Sequence, residues 1–186
     1  RVENDCQNCG FTQARINGLD GHYSQVLIDS RPVFSALAGV YGLEQIPSSM
    51  IDRVEVERGG GSALFGASAI GGTINIITKE AMSSSAGISH DLTSIGVSGA
   101  LDNNTSLNAS MVTDDGRGGL FVFGQKRLRD GYDADGDGFT DIPMINSITV
   151  GTRGHLRVNP FSKIRLEYHG TKEFRRGGDR LETAPA

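Results

Sequence analysis

A chain of 186 residues is long enough for one sizeable domain or two small ones. Asp and Glu outnumber Lys and Arg by 22 to 18, a formal net charge of -4, which argues against a nucleic-acid binder with its basic stripe. No apolar run approaches the ~20 residues of a membrane-spanning helix, and no basic-then-apolar leader opens the chain. The start at Arg1 and the stop at Ala186 are expected to be those of a fragment.

The first chemistry-bearing residues are Cys6 and Cys9. A redox C-x-x-C should open a helix after a strand, whereas Gly10 and a strand-like stretch follow here. Zinc needs four ligands, and there is no second pair. A small disulfide or two inert thiols are expected. Asn17-Gly18 and Asp20-Gly21 are turn signals. Val26-Leu27-Ile28 reads as a buried strand. Pro47 starts a short helix, since proline is tolerated in a first turn. Residues 53–57 alternate with period two and read as a half-buried strand; residues 74–78 read as another.

Between those strands, residues 61–68 nearly match the phosphate-cradling pattern G-x-x-x-x-G-K-[ST]. Ala67 stands where the lysine should reach the outer phosphates, so nucleotide binding is not expected. Gly59, Gly60 and Gly61 allow a sharp turn. The small residues Ala63, Ala67 and Ala69 are expected to pack tightly.

From residue 84 onward the texture changes to long alternation broken by turns. In residues 105–113, Leu107, Ala109 and Met111 oppose Ser106, Asn108 and Ser110. In residues 148–158, Ile148, Val150, Leu156 and Val158 oppose Arg153, His155 and Arg157. In residues 163–170, Ile164, Leu166 and Tyr168 oppose Lys163, Arg165, Glu167 and His169. Phe121-Val122-Phe123 breaks the pattern and leaves its faces unassigned. A soluble sandwich alternates too. Two features favour a transmembrane β-barrel. The strands approach the ~9–11 residues that cross a bilayer, and tight turns at 114–117 and 159–162 alternate with a long polar loop at 130–143. The apolar faces so read carry no charge, where an Arg at mid-membrane would cost roughly 2–4 kcal/mol.

Within the long loop, Asp133, Asp135, Asp137, the Phe139 carbonyl and Asp141 occupy positions one, three, five, seven and nine of a calcium loop, with Gly138 for the turn. Position twelve is Met144 instead of a bidentate Glu, and no helices flank the motif, so an EF-hand is excluded. A calcium-stabilised extracellular loop and a solvated acidic loop that pairs with Arg127 or Arg129 both stay open. Residues 175–179 read as a charged surface loop. His22, His90, His155 and His169 scatter without forming a ligand pair. Asp114 and Asp115 are adjacent in a turn and cannot flank a substrate, and no catalytic constellation appears, so no enzyme is expected.

Val26-Leu27-Ile28-Asp29-Ser30-Arg31-Pro32-Val33 resembles the V-L-I-D-G-x-P-V strand of TonB-dependent receptor plug domains. Ile46-Pro47, Ile51, Arg53-Val54-Glu55-Val56 and Arg58-Gly59 resemble the family's I-P-x-x-x-I-x-R-I-E-V-x-R-G. Ser62-Ala63-Leu64-Phe65-Gly66, and then residues 71–79, resemble the plug's last loop and strand. The chain departs at Ser30 and Gly60, where the family usually has Gly and Pro. The resemblance implies an α+β plug domain followed by the first antiparallel strands of a transmembrane β-barrel, a fragment of a plugged 22-stranded barrel. Residues 1–80 would be the C-terminal part of the plug, and residues 81–186 the first five or so barrel strands.

The same resemblance implies TonB-dependent import of a scarce bulky nutrient across the outer membrane of a Gram-negative bacterium, and no required cofactor. Implied partners are TonB, acting through an N-terminal segment outside this chain, the outer-membrane lipids, the nutrient ligand and a surface lipoprotein. The resemblance is closest to Bacteroides-type vitamin B12-like and haem-like receptors. Phe34, Leu37, Val40 and Tyr41 fall in the plug loop that meets ligand in the family. That loop has no Arg or Lys to draw in an anionic catecholate, so an amphipathic ring such as a corrinoid or haem is favoured over an iron–siderophore, and the resemblance to vitamin B12-like receptors puts the corrinoid ahead of haem. Calcium in an extracellular loop fits vitamin B12 receptors. Arg53, Glu55 and Arg58 resemble an ionic latch to the barrel interior; ordinary surface pairs worth ~0–1 kcal/mol are the alternative. A calcium-dependent surface-adhesion β-protein is the reading from another class, and the plug motifs speak against it.

Overall fold

The computed structural model describes residues 2–6, 11–32, 46–60, 62–97 and 99–179. The chain divides into two compact units, Arg1–Thr78 and Lys79–Ala186.

In the first unit, β1 (Val2–Cys6) and β2 (Phe11–Ala14) form an antiparallel pair. Cys9 lies outside the described residues, and with it the disulfide or inert thiols expected of Cys6 and Cys9. A 3-10 turn, Gly21–Tyr23, is capped by the Asp20 carboxylate, which accepts from the His22 N–H at 3.0 Å. It leads into β3 (Ser24–Ile28), β4 (Arg31–Pro32), β5 (Ile51–Arg58) and β6 (Gly72–Thr78). These form one sheet in the order β4-β3-β6-β5, with β3 and β6 parallel and β5 antiparallel to β6. Leu27 and Ile76, on the two central strands, are buried. The expected half-buried β5 is instead exposed on both faces from Asp52 to Arg58. It is the edge strand, so period-two alternation gave its conformation but not what covers it.

Glycine placement explains the turn that resembled a phosphate loop. Gly59 and Gly60 have φ of +73° and +70°, a region where a side chain strains the backbone. A proline at position 60, as in the family, would demand φ near -65°, so this turn takes a different path. Of the three small residues expected to pack tightly, Ala69 is buried and Ala63 is exposed, and the Ala67 side chain lies outside what is described. Close approach belongs instead to Gly71 and Gly72. A Cβ on Gly71 would sit 2.9 Å from the Tyr23 carbonyl oxygen, and one on Gly72 would overlap the Glu57 carbonyl oxygen.

The second unit is an antiparallel meander of β7 (Ser85–Ile95), β8 (Ala100–Val112), β9 (Gly118–Arg129), β10 (Met144–Asn159) and β11 (Ser162–Arg176), neighbours in that order. With 11 to 16 residues each, the strands meet the length a tilted bilayer crossing needs, ~9–11 residues. They run longer than alternation alone indicated, because polar residues near the strand ends also pair. The Phe121-Val122-Phe123 ambiguity resolves. Phe121 and Phe123 are buried on the polar face and stack at 5.9 Å, and Val122 lies on the apolar face. Gly151 gives Phe123 its room, since a Cβ there would overlap the ring. Charge is absent from the apolar face only toward the tight-turn end. Lys126 and Lys172, outside the segments whose faces the sequence had sorted, lie on it further along, by their register with Ile148.

Candidate functional site

Three clusters carry the residues singled out above. On β5, Arg53 donates through Nε to Glu55 at 2.8 Å and through a terminal nitrogen to Asp52 at 3.0 Å. These bonds, to Glu55 first and then Asp52, push the guanidinium pKa up. Glu55 also accepts from Asn75 on β6 at 3.3 Å, and the Asn75 amide in turn bridges to Ser30, taking its N–H at 2.9 Å. Arg58, at the far end of the strand opposite Gly72, takes no part in this chain. The structure thus joins Arg53 and Glu55 to each other within the first unit. A neighbouring pin escaped the sequence reading. Asp29, at φ +47°, accepts from the Thr78 N–H at 3.0 Å and its hydroxyl at 2.7 Å. Its signal was the Asp of the V-L-I-D pattern.

The polar face of the five-stranded sheet carries the second cluster. Arg127 forks onto Asp102, with contacts from 2.6 to 3.2 Å, and Arg153 onto Glu167 at 2.9 and 3.0 Å. Arg153 is only 4% exposed, and a charge that far from water requires such a partner. Near the tight-turn end, residues 80–84 run across this face as a strap. Glu80 accepts from Lys163 at 2.6 Å and from Arg165 at 2.9 Å, both on β11. Ala81 lies over Gly119, where a Cβ would come within 3.0 Å of it. The Ser83 carbonyl accepts from the Ser110 hydroxyl at 2.5 Å, and the Ser84 hydroxyl accepts from the Val112 N–H at 3.2 Å. Burial pushes the Glu80 pKa up, but the bonds from Lys163 and Arg165 outweigh it and hold the carboxyl below its ordinary value. Sequence reasoning missed Glu80 because its partners lie 83 and 85 residues away in no shared motif.

The third cluster is the acidic loop. The Asp133 carboxylate accepts from the N–H groups of Gly138 at 2.8 Å and Gly136 at 2.7 Å, which hold its pKa below the ordinary value. Gly136 and Gly138 have φ of +79° and +90°, the turns that bring those N–H groups round. Oxygens of Asp133, Asp135 and Asp141 converge to within 4.8 Å of one another. Asp137 instead accepts from the Phe139 N–H at 2.8 Å. Three of the four carboxylates predicted as ligands therefore come together, and Asp137 does not join them. An anti-parallel bridge between Tyr132 and Ile142 closes the loop base, and Thr140 exchanges hydrogen bonds with Gly178. Arg129 donates to the Pro143 carbonyl at 3.0 Å. Such a set of hard oxygens suits a divalent cation such as calcium. Phe34, Leu37, Val40 and Tyr41 lie outside the described residues.

The sequence model of the TonB-dependent receptor plug domain matches residues 1–73. The vitamin B12 transporter BtuB of Vibrio cholerae serotype O1 is 41% identical over 64 residues, 34% of this chain and 10% of that protein. BtuB of Photobacterium profundum is 39% identical over 67 residues, 36% of this chain and 11% of that protein. Among solved structures, the siderophore receptor PirA from Acinetobacter baumannii superposes with a TM-score of 0.79 at 18% identity, covering 94% of this chain and 28% of that one. The ferric enterobactin receptor PfeA in complex with BCV-L6 gives 0.73 at 18% identity, covering 88% and 27%. At such identities the likeness shows the fold, and the matched region is about a tenth of the length of the curated relatives.

A plug domain followed by amphipathic antiparallel strands, with plugged barrels as structural neighbours, defines a plugged β-barrel receptor. Residues 1–73 match the plug domain of TonB-dependent receptors, and the amphipathic strands that follow share the fold of the plugged outer-membrane barrels they superpose on. The relatives it matches are named as transporters and receptors.

Proposed function

We propose that this protein serves TonB-dependent import of a scarce, bulky nutrient across the outer membrane, with residues 1–80 as plug and residues 81–186 as the opening of the barrel. The observation that carries this reading is the pairing of a plug-domain match with a five-stranded sheet that is apolar on one face and charged on the other. On this reading TonB pulls on the plug from the periplasm, and the nutrient passes along the polar face.

For the cargo we favour a corrinoid. Support comes from the apolar, cation-free stretch at Phe34, Leu37, Val40 and Tyr41 and from the vitamin B12 transporters among the relatives. An iron–siderophore, the cargo named for the structural neighbours, and haem are the alternatives. Titration of the full-length receptor in detergent with cyanocobalamin, haemin and a ferric siderophore decides among them. Tight binding of cyanocobalamin alone supports the corrinoid; tight binding of either of the others displaces it.

The converging oxygens of Asp133, Asp135 and Asp141 favour a second element, calcium ordering of an extracellular loop. The test is limited proteolysis near Asp137 with and without calcium; equal cleavage would remove the idea. Arg53, Glu55 and Arg58 are proposed to meet the barrel interior, Arg53 and Glu55 as one pre-formed pair. A surface lipoprotein capping the extracellular loops belongs to the same proposal and would be sought by co-purification with the full receptor.

A further inference from the structure

We propose that Lys126 and Lys172 form a binding site for the phosphate of an outer-leaflet lipid headgroup, on the membrane-facing side of the sheet. The inference rests on the outer-membrane reading above.

The strand registers place His90, Thr105, Lys126, Ile148 and Lys172 on one line across all five strands. The next line toward the tight turns is Ile88, Leu107, Gly124, Val150 and Gly170, and the one after it is Ala86, Ala109, Val122, Thr152 and Tyr168. Both are free of charge, as acyl chains require. The cationic line is therefore the first to carry charge on the side of the long loop, which in such barrels faces the cell exterior, and the next line outward mixes Leu92, Leu128 and Phe174 with Asn103 and Asn146.

The sheet also sorts charge by sign. The carboxylates of the five strands, Asp91, Asp102, Glu167 and Glu173, all fall on the polar face by the same registers. The ionised side chains on the apolar face are Lys126, Lys172 and Arg176, every one a cation and every one on or beyond the marked line. Lysines used only to end an apolar band need no such exclusion of acids. Both lysines are exposed, and the Lys126 amine donates to Asn146 at 2.5 Å, one line further from the tight turns. That is the posture of a side chain whose stem lies on lipid and whose head seeks polar company. β9 and β11 are two strand spacings apart, about 9.5 Å, with Ile148 between. A phosphate seated over Ile148 would lie between two flexible amines, with its acyl chains running down the uncharged lines. Lipid-borne phosphate satisfies both halves of this surface; a free anion satisfies only one.

The test uses full-length receptor purified from outer membranes, with native mass spectrometry reading retention of diphosphoryl lipid A against its dephosphorylated form. Wild type should prefer the phosphorylated lipid by about tenfold or more. The double variant Lys126→Gln/Lys172→Gln should lose that preference while keeping its place in the outer membrane and its heat-modifiable gel mobility. An unchanged preference in the double variant, or none in wild type, overturns the site. If wild type never reaches the outer membrane, the outer-membrane reading itself fails and the site fails with it.

Discussion

Replacing Glu80 with glutamine tests the strap most sharply. The carboxylate holds Lys163 and Arg165 together, and its side chain is 24% exposed against 31% and 43% for its partners. Fully exposed pairs are worth ~0.2–1 kcal/mol each, and a carboxylate shared by two cations in partial shelter belongs at the upper end. The loss should be about 1–2 kcal/mol. That corresponds to roughly a five- to thirtyfold fall in local protection. Hydrogen exchange of residues 80–84 in the full-length receptor at pH 7 reads it directly. The pH dependence has a definite sign. Because the folded-state pKa of Glu80 lies below its ordinary value of 4.5, the stabilisation is complete above that value. It is lost as pH falls through the lowered one. Wild-type protection should therefore decline in strong acid toward that of the variant, whose own protection lacks this acid-dependent fall. Equal protection of the two proteins at pH 7 would refute the anchoring of the strap through Glu80. A double-mutant cycle with Arg165→Ala checks that any loss runs through the pair.

Other outcomes follow from backbone and packing. Ser30 has φ +64°, so Ser30→Gly should leave the melting temperature unchanged or raise it, with a gain up to about 1 kcal/mol. The Ser30 hydroxyl's 3.2 Å bond to Asn75 offsets part of that gain; a clear drop would show that the bond prevails. Gly60→Pro, although it restores the family's residue, should lower the melting temperature, because φ at that position is +70° and proline requires about -65°. Phe123→Ala removes a buried ring stacked on Phe121 and should cost about 3–5 kcal/mol, seen as a lowered unfolding midpoint in denaturant. Asp133→Asn should abolish any calcium protection of the loop in limited proteolysis, whereas Asp137→Asn, outside the converging set, should weaken it less.

Much of this architecture was legible in the sequence where one local rule sufficed. Alternation found the faces of β8, β10 and β11 because one side of each must be apolar. The V-L-I-D and R-V-E-V patterns located β3 and β5, and the spacing of Asp133, Asp135 and Asp141 anticipated their convergence. Illegible features depended on distant partners or on geometry. Phe121 and Phe123 hid the period of β9 by placing large apolar rings on the otherwise polar face. Glu80 has no local signature. Ala63 had the composition for tight packing but not the position. Asp137 satisfied the calcium pattern yet turned to a backbone N–H two residues on, a competition that spacing cannot resolve.

The central claim is energised import, and uptake tests it most directly. The full-length receptor would be expressed in a Gram-negative host lacking its own vitamin B12 receptor, with and without TonB, and supplied with limiting radiolabelled cyanocobalamin, haemin or a ferric siderophore. The account predicts accumulation of one of these cargoes only when receptor and TonB are both present. Accumulation that is unaffected by loss of TonB, or that matches the receptor-free host for all three, would contradict it.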